Sequence, residues 1–188
     1  GTGELIWSTE VSGAMAATPT LDADSGLLYV GAFDGRVHAL RADTGEIVDG
    51  FAFRADNWIW SEVLVAGDRL YVTSLDGRLY ALDPQTGDVL APYPFDASTI
   101  AGAESAIRTS PVLAGENVIF GTEAGRVVAV RNGQQRGAWP SGLPEAPVYT
   151  TPVVAEGRLY VVLMNGNVQS MDAETGAPGW AFVPPQAN

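Results

Sequence analysis

One phrase recurs along this chain and restricts what it can fold into. It is clearest at Gly67 to Leu90, where Leu70-Tyr71-Val72, Asp76-Gly77, Leu79-Tyr80-Ala81-Leu82 and Thr86-Gly87 follow one another. Runs of strand formers alternate with glycine-containing turns, which reads as strand, turn, strand, turn, strand. Asp76-Gly77 supplies the glycine that a two-residue hairpin turn needs at positive φ. The phrase returns at Leu28-Tyr29-Val30 with Asp34-Gly35, at Val118-Ile119-Phe120 with Ala124-Gly125, and at Leu159-Tyr160-Val161 with Asn165-Gly166. The turn glycines Gly35, Gly77, Gly125 and Gly166 are 42, 48 and 41 residues apart. An apolar run precedes each copy and another follows its second turn, as in Glu46-Ile47-Val48. Each unit therefore holds four short strands, the spacing of a propeller blade.

The strand runs are apolar at consecutive positions, as in Val63-Leu64-Val65 and Val127-Val128. Strict alternation would leave one face wet, whereas continuous runs require cover on both. Blades stacked around an axis give that cover. The expected fold is all-β: four-stranded antiparallel blades at about 16–54, 61–95, 108–139 and 149–184, forming one domain. Residues 4–10 are expected as an extra outer strand of a preceding blade, because Thr2-Gly3-Glu4 matches Thr44-Gly45-Glu46 at a spacing of 42.

The order of these motifs, ending in Thr-Gly and Trp, resembles the PQQ-type β-propeller repeat. Quinoprotein alcohol dehydrogenases share that repeat with the propeller lipoprotein of the outer-membrane β-barrel assembly machine. The resemblance covers nearly the whole chain and implies export, to the periplasm or the cell exterior. It also implies that a Trp after the Thr-Gly turn docks on the neighbouring blade, a place held by Trp7 and Trp180. Units one and two carry Asp49 and Ala91 there, and unit three has Asn132-Gly133 with Trp139 slightly later. Rings of this family favour seven or eight blades, so four blades are expected to form an open arc. Such an arc is either part of a larger ring or one of two copies joined together.

Composition removes several function classes. The net charge of −12, from 22 acidic residues and ten arginines with no lysine, repels nucleic acid and anionic lipid. No Cys is present, which excludes disulfides, thiolate–zinc sites and a thiol nucleophile. No apolar run reaches the roughly 18 residues that mark a membrane span. The segment Asp22-Ala23-Asp24-Ser25-Gly26 superficially suggests a calcium loop but lacks the closing Glu, and reads as a hairpin turn. His38, the only histidine, sits mid-strand with no His or Cys to join it in a metal site or triad.

The candidate site lies in the longer connections between units, roughly 54–61, 94–109 and 140–150. Such loops gather on one face of a propeller, and loops on a rigid scaffold are its usual binding elements. Alignment of the units puts Ala16, Trp60, Arg108 and Tyr149 at one position, followed by Ala17, Ser61, Thr109 and Thr150, then Thr18, Glu62, Ser110 and Thr151. The resemblance implies that these positions face the channel where quinoproteins hold their cofactor. Candidate ligand-binding residues are Trp58, Trp60, Glu62, Arg108, Thr109 and Tyr149. Arg108 with Thr109 suits an anionic group, and a Trp platform suits a planar one. Two alternatives stay open: Trp58 and Trp60 seal a blade junction, and Glu62 pairs with Arg108 across the channel.

No catalytic or metal-binding residue stands out. The acidic and amide cluster of a quinoprotein calcium site is missing at the mouth, and no phosphate loop, serine-nucleophile motif or histidine pair occurs. The expected function is a non-catalytic scaffold or recognition module without a cofactor. Its partner at the loop face is a protein or a small molecule. The alternatives are a piece of a PQQ-dependent dehydrogenase, which would need PQQ and calcium, and the extracellular sensor domain of a receptor or kinase.

Overall fold

The computed structural model describes residues 3–101, 106–136 and 146–185. It is all-β apart from one helical turn, α1 (Ser98–Ala101). Four antiparallel four-stranded sheets follow one another along the chain, each with its strands in sequence order. Sheet 1 is β1 (Thr20–Asp22), β2 (Leu27–Gly31), β3 (Arg36–Arg41) and β4 (Phe53–Arg54). Sheet 2 is β5 (Leu64–Ala66), β6 (Arg69–Thr73), β7 (Arg78–Leu82) and β8 (Phe95–Asp96). Sheet 3 is β9 (Val112–Ala114), β10 (Asn117–Gly121), β11 (Val127–Arg131) and β12 (Gln134–Gln135). Sheet 4 is β13 (Val153–Ala155), β14 (Arg158–Val162), β15 (Val168–Asp172) and β16 (Pro178–Phe182). The first strands stand side by side, β1 against β5, β5 against β9 and β9 against β13. The sheets are thus blades of an unclosed propeller.

The core consists of three layers, one at each junction. Tyr29, Val37, Phe53, Leu70, Val72 and Leu82 fill the first. Tyr71, Leu79, Ile107, Val118, Phe120 and Val130 fill the second. Ile119, Val127, Val148, Leu159, Val161 and Met171 fill the third. Alternate residues of β6 and β10 point to opposite layers, which is why these runs are apolar throughout.

Two local features differ from the sequence reading. The Asp-Gly turns are three-residue loops. The Gly35 N–H donates to Ala32 O (3.1 Å) and the Ala32 N–H to Arg36 O (3.0 Å), with Gly35 at φ 82°. This is a type I turn closed by a left-handed glycine. The Asp34 carboxylate accepts the Arg36 N–H (2.9 Å) and Asp76 the Arg78 N–H (3.0 Å). Ala124 offers no such acceptor, and the Thr122 hydroxyl takes the Arg126 N–H instead (3.1 Å).

The outer strands of sheets 1 and 2 are also interrupted. Ile47 bridges Leu40, yet Phe53 pairs with Val37. A continuous ladder would set Gly50 opposite Val37, so three extra residues loop out. Sheet 2 repeats this with Val89 on Leu82 and Phe95 on Leu79. The looped-out Phe51 and Tyr93 pack on Tyr29 and Tyr71, each with ring centroids 5.9 Å apart. Sheet 4 has only a local register shift and keeps a five-residue outer strand.

Residues 4–10 form no strand, contrary to expectation, because no described strand lies beside them to supply a ladder. They lie instead on sheet 1. The Trp7 ring covers the Gly45 turn, where an added Cβ would sit 2.5 Å from the ring. Trp7 Nε1 donates to Ala42 O (3.0 Å) and the Thr9 hydroxyl to Gly45 O (2.6 Å). The outer strand of unit three is the short β12, and Trp139, expected just beyond it, lies outside the described residues. The Asp22 carboxylate caps its own turn, accepting from the Asp24 N–H (3.1 Å) and the Ser25 hydroxyl (2.5 Å). His38 Nε2 lies 3.2 Å from Ser12 O.

Candidate functional site

Antiparallel order puts the loops between sheets at the same strand ends as the β2–β3, β6–β7, β10–β11 and β14–β15 turns. Backbone hydrogen bonds tie the two sets together in register. Phe33 N–H donates to Ala14 O (2.9 Å), Leu75 to Trp58 O (3.0 Å), Glu123 to Ala106 O (3.0 Å) and Met164 to Pro147 O (2.9 Å). Trp60, Arg108 and Tyr149 each follow their acceptor by two residues, so the equivalence read from the sequence holds in three dimensions.

Within Trp58-Ile59-Trp60 it is the isoleucine that seals the junction. Ile59 is fully buried, whereas Trp58 is 48% and Trp60 38% exposed. The chain is extended here, so alternate side chains face opposite ways. The first residue of the β2–β3 loop, Phe33, stacks on both indoles, with centroids 4.9 Å from Trp58 and 5.0 Å from Trp60. The Arg108 guanidinium lies 5.1 Å from the Trp60 ring centroid and 5.6 Å from that of Tyr149, which is 40% exposed. A partly solvated column thus runs Trp58, Phe33, Trp60, Arg108, Tyr149 across the inter-sheet loops. Each guanidinium–ring contact of this kind is worth about 0.5–1 kcal/mol at an exposed site.

Arg108 Nε forms an ion pair with Glu123, the counterpart of Phe33 in sheet 3. It does not pair with Glu62, which is exposed and whose backbone N–H donates to Ser110 Oγ (2.9 Å). Sequence reasoning missed both Phe33 and Glu123. Their signal was positional: each is the residue just before an Asx-Gly or Ala-Gly pair, the first of a three-residue loop.

Thr109 is a correction. It is fully buried, and its hydroxyl donates to Gly121 O (3.1 Å) and accepts from the Gly121 N–H (2.9 Å). Ser61 and Thr150 repeat the bond, to Thr73 O (3.0 Å) and Val162 O (3.3 Å). These hydroxyls fasten each first strand to the second strand of its own sheet and are spent there. The next position links neighbouring sheets: Ser110 Oγ receives the Glu62 N–H, and Thr151 Oγ1 the Ser110 N–H (3.1 Å). Trp7 and Trp180, both read as docking residues, part company. Trp7 is seated on sheet 1, whereas Trp180 is exposed, its ring centroid 6.0 Å from that of Tyr160 in its own sheet.

Among the described residues no group of three or more His, Cys, Asp or Glu is gathered as a metal site. No described helix is long and apolar enough to cross a membrane. The family model of outer membrane protein assembly factor BamB matches residues 1–140. The chain belongs to the BamB family. BamB from Moraxella catarrhalis is similar in structure at 20% identity and a TM-score of 0.72, covering 93% of this chain and 55% of that one. The chain therefore spans about half the length of that BamB. The quinohemoprotein alcohol dehydrogenase of Comamonas testosteroni is 18% identical with a TM-score of 0.74, covering 91% and 35%. The computationally designed Ika4 protein is 16% identical with a TM-score of 0.72, covering 91% and 99%. No curated protein matches the chain. At these identities the structural likeness establishes the propeller fold, and the BamB family model establishes the repeat type.

Proposed function

We propose that this chain is a non-catalytic recognition module of an exported, periplasmic protein, and that it binds a protein partner through the loop face. The observation that carries this reading is the exposed column of Trp58, Trp60, Arg108 and Tyr149. Trp, Tyr and Arg are the side chains that dominate the energy of protein interfaces, because each buries a large rigid surface and keeps a polar handle. Here they stand together on loops pinned to the sheets by backbone hydrogen bonds, so little order has to be gained on binding. The Trp60 ring is engaged by Phe33 and Arg108, which suits contact through ring edges with a protein surface better than the stacking of a planar cofactor. Binding in this reading needs no cofactor.

The test is to replace Trp60 and Arg108 by Ala. Both variants keep the fold and lose a partner that the parent chain captures. Dye reduction driven by an alcohol or a sugar, once PQQ and calcium are added, would contradict the reading and establish a dehydrogenase. So would a partner that still binds both variants with parental affinity.

A further inference from the structure

The aromatic column ends on an indole with one face in use. Phe33 stacks on one face of Trp58, with centroids 4.9 Å apart, and Trp58 is still 48% exposed. Trp60, the next indole, shows a fuller arrangement. Phe33 stacks on it as well, the Arg108 guanidinium lies 5.1 Å from its centroid, and Glu123 pairs with that guanidinium. An indole, a cation on it and a carboxylate beside the cation form one unit there.

At Trp58 the indole and the carboxylates are present without the cation. The Leu75 N–H donates to Trp58 O (3.0 Å) and the Asp56 N–H to Asp76 Oδ2 (3.1 Å), so Asp56 and Asp76 belong to the two loops that hold Trp58. The Tyr80 hydroxyl also donates to Asp76 (2.6 Å), which fixes that carboxylate in place. The Asp56 carboxylate is largely exposed, and Arg78 Nη1 donates to its Oδ2 (2.5 Å). Among the described residues no guanidinium lies over Trp58: Arg78 reaches Asp56 instead, and Arg54 stands on β4 opposite Arg36. Glu62, two residues beyond Trp60, is exposed and makes no ion pair among the described residues.

This charge pattern decides between occupants. An uncharged apolar surface laid on the column would strip water from Asp56 and Glu62 without replacing it. An acidic surface would be repelled by both, and by a chain of net charge −12. An arginine meets both demands, because its flat guanidinium stacks on an indole and its N–H fork donates to a carboxylate.

We propose that Trp58 seats an arginine side chain of the partner protein, stacked on the open indole face and hydrogen-bonded to Asp56, so that the loop face selects basic segments. This rests on the recognition reading above and adds the chemistry of the partner. The arrangement at Trp60 supplies the pattern within the chain, and the partner supplies the cation that Trp58 lacks.

Fluorescence anisotropy with three labelled peptides tests the proposal. The peptides share one apolar background and carry Arg, Gln or Glu at the same positions. Physiological salt screens exposed charges beyond about 8 Å, so contact is read rather than long-range attraction. The Arg peptide should bind the whole chain about tenfold or more tighter than the Gln peptide, and the Glu peptide more weakly still. Trp58→Leu and Asp56→Asn should each weaken the Arg peptide about tenfold. Asp24→Asn, which removes the same charge from the opposite turns, should change it less than about twofold. Circular dichroism checks the folds, and if Asp56→Asn unfolds, Trp58→Leu still decides. Gln or Glu peptides that bind as tightly as the Arg peptide, and lose their binding in Trp58→Ala, would overturn the charge selection and leave recognition by the column standing. An Arg peptide that binds parent and variants alike would overturn the seat at Trp58, as would the absence of binding by all three. Recognition itself falls only if the partner captured by the parent still binds Trp60→Ala and Arg108→Ala.

Discussion

Ile59 fills the space above Gly31. A Cβ added to Gly31 would fall inside van der Waals contact with Ile59 Cγ2 and 3.2 Å from Ser61 O. The same relation joins Val148 to Gly121 in sheet 3. Gly31→Ala should therefore overpack the first junction and cost about 1–3 kcal/mol, measured by urea unfolding. Ile59→Ala removes Cγ2, so the losses from Gly31→Ala and Ile59→Ala should combine to less than their sum in the double variant. Equal stability of Gly31→Ala and the parent would contradict this junction.

Thr109 and Trp58 should separate stability from recognition. Thr109→Val keeps the shape but leaves the Gly121 N–H and C=O without the hydroxyl that serves them. The expected loss is about 1–3 kcal/mol, with partner binding retained by the folded protein. Trp58→Ala should change stability by less than about 1 kcal/mol and weaken the partner about tenfold or more. Thermal melts and binding isotherms on the two variants check the contrast.

The alkaline limb should depend on buried tyrosines. Burial pushes Tyr93 up from 10.0 to about 12 and raises Tyr80 as well. The folded state then holds these protons more tightly than the unfolded chain. Stability from this source is complete below 10.0 and is lost as pH rises towards 12. Tyr93→Phe should make the decline shallower, followed as melting temperature against pH. An unchanged slope would remove Tyr93 from the account.

The acid limb has the opposite sign. The Ser25 hydroxyl holds Asp22 below its ordinary 3.8, the Ser98 hydroxyl does so for Asp96, and the Thr175 hydroxyl for Asp172. These carboxylates contribute stability above that value, and it disappears as pH falls through their lowered pKa values. Ser98→Ala should blunt the loss from Asp96. An acid limb identical to that of the parent would show that this hydroxyl is not what holds the carboxylate down.

The blades were legible because the repeat fixes four turns and their intervening strands at once. The outer strands were not, because a three-residue loop such as Asp49-Gly50-Phe51 breaks the ladder without breaking the motif. The column was half legible. Trp60, Arg108 and Tyr149 could be aligned, but periodicity cannot say whether tryptophan or isoleucine faces inward in an irregular loop. Arg108 could not be assigned Glu123, because that contact depends on the three-residue form of the turn. Thr109 misled because a threonine beside an arginine looks like an anion site. Its repetition as Ser61 and Thr150 was the available sign of a structural role.

The most direct test is site-specific photo-crosslinking in intact cells. A photoreactive residue at Trp58 or Tyr149 reports on the loop face, and one at Asp24 or Asp68 on the turns at the opposite strand ends. The account expects a discrete protein crosslink from Trp58 and Tyr149 and none from Asp24 or Asp68. Crosslinks from the opposite turns alone, or from neither face, would contradict recognition through the aromatic column.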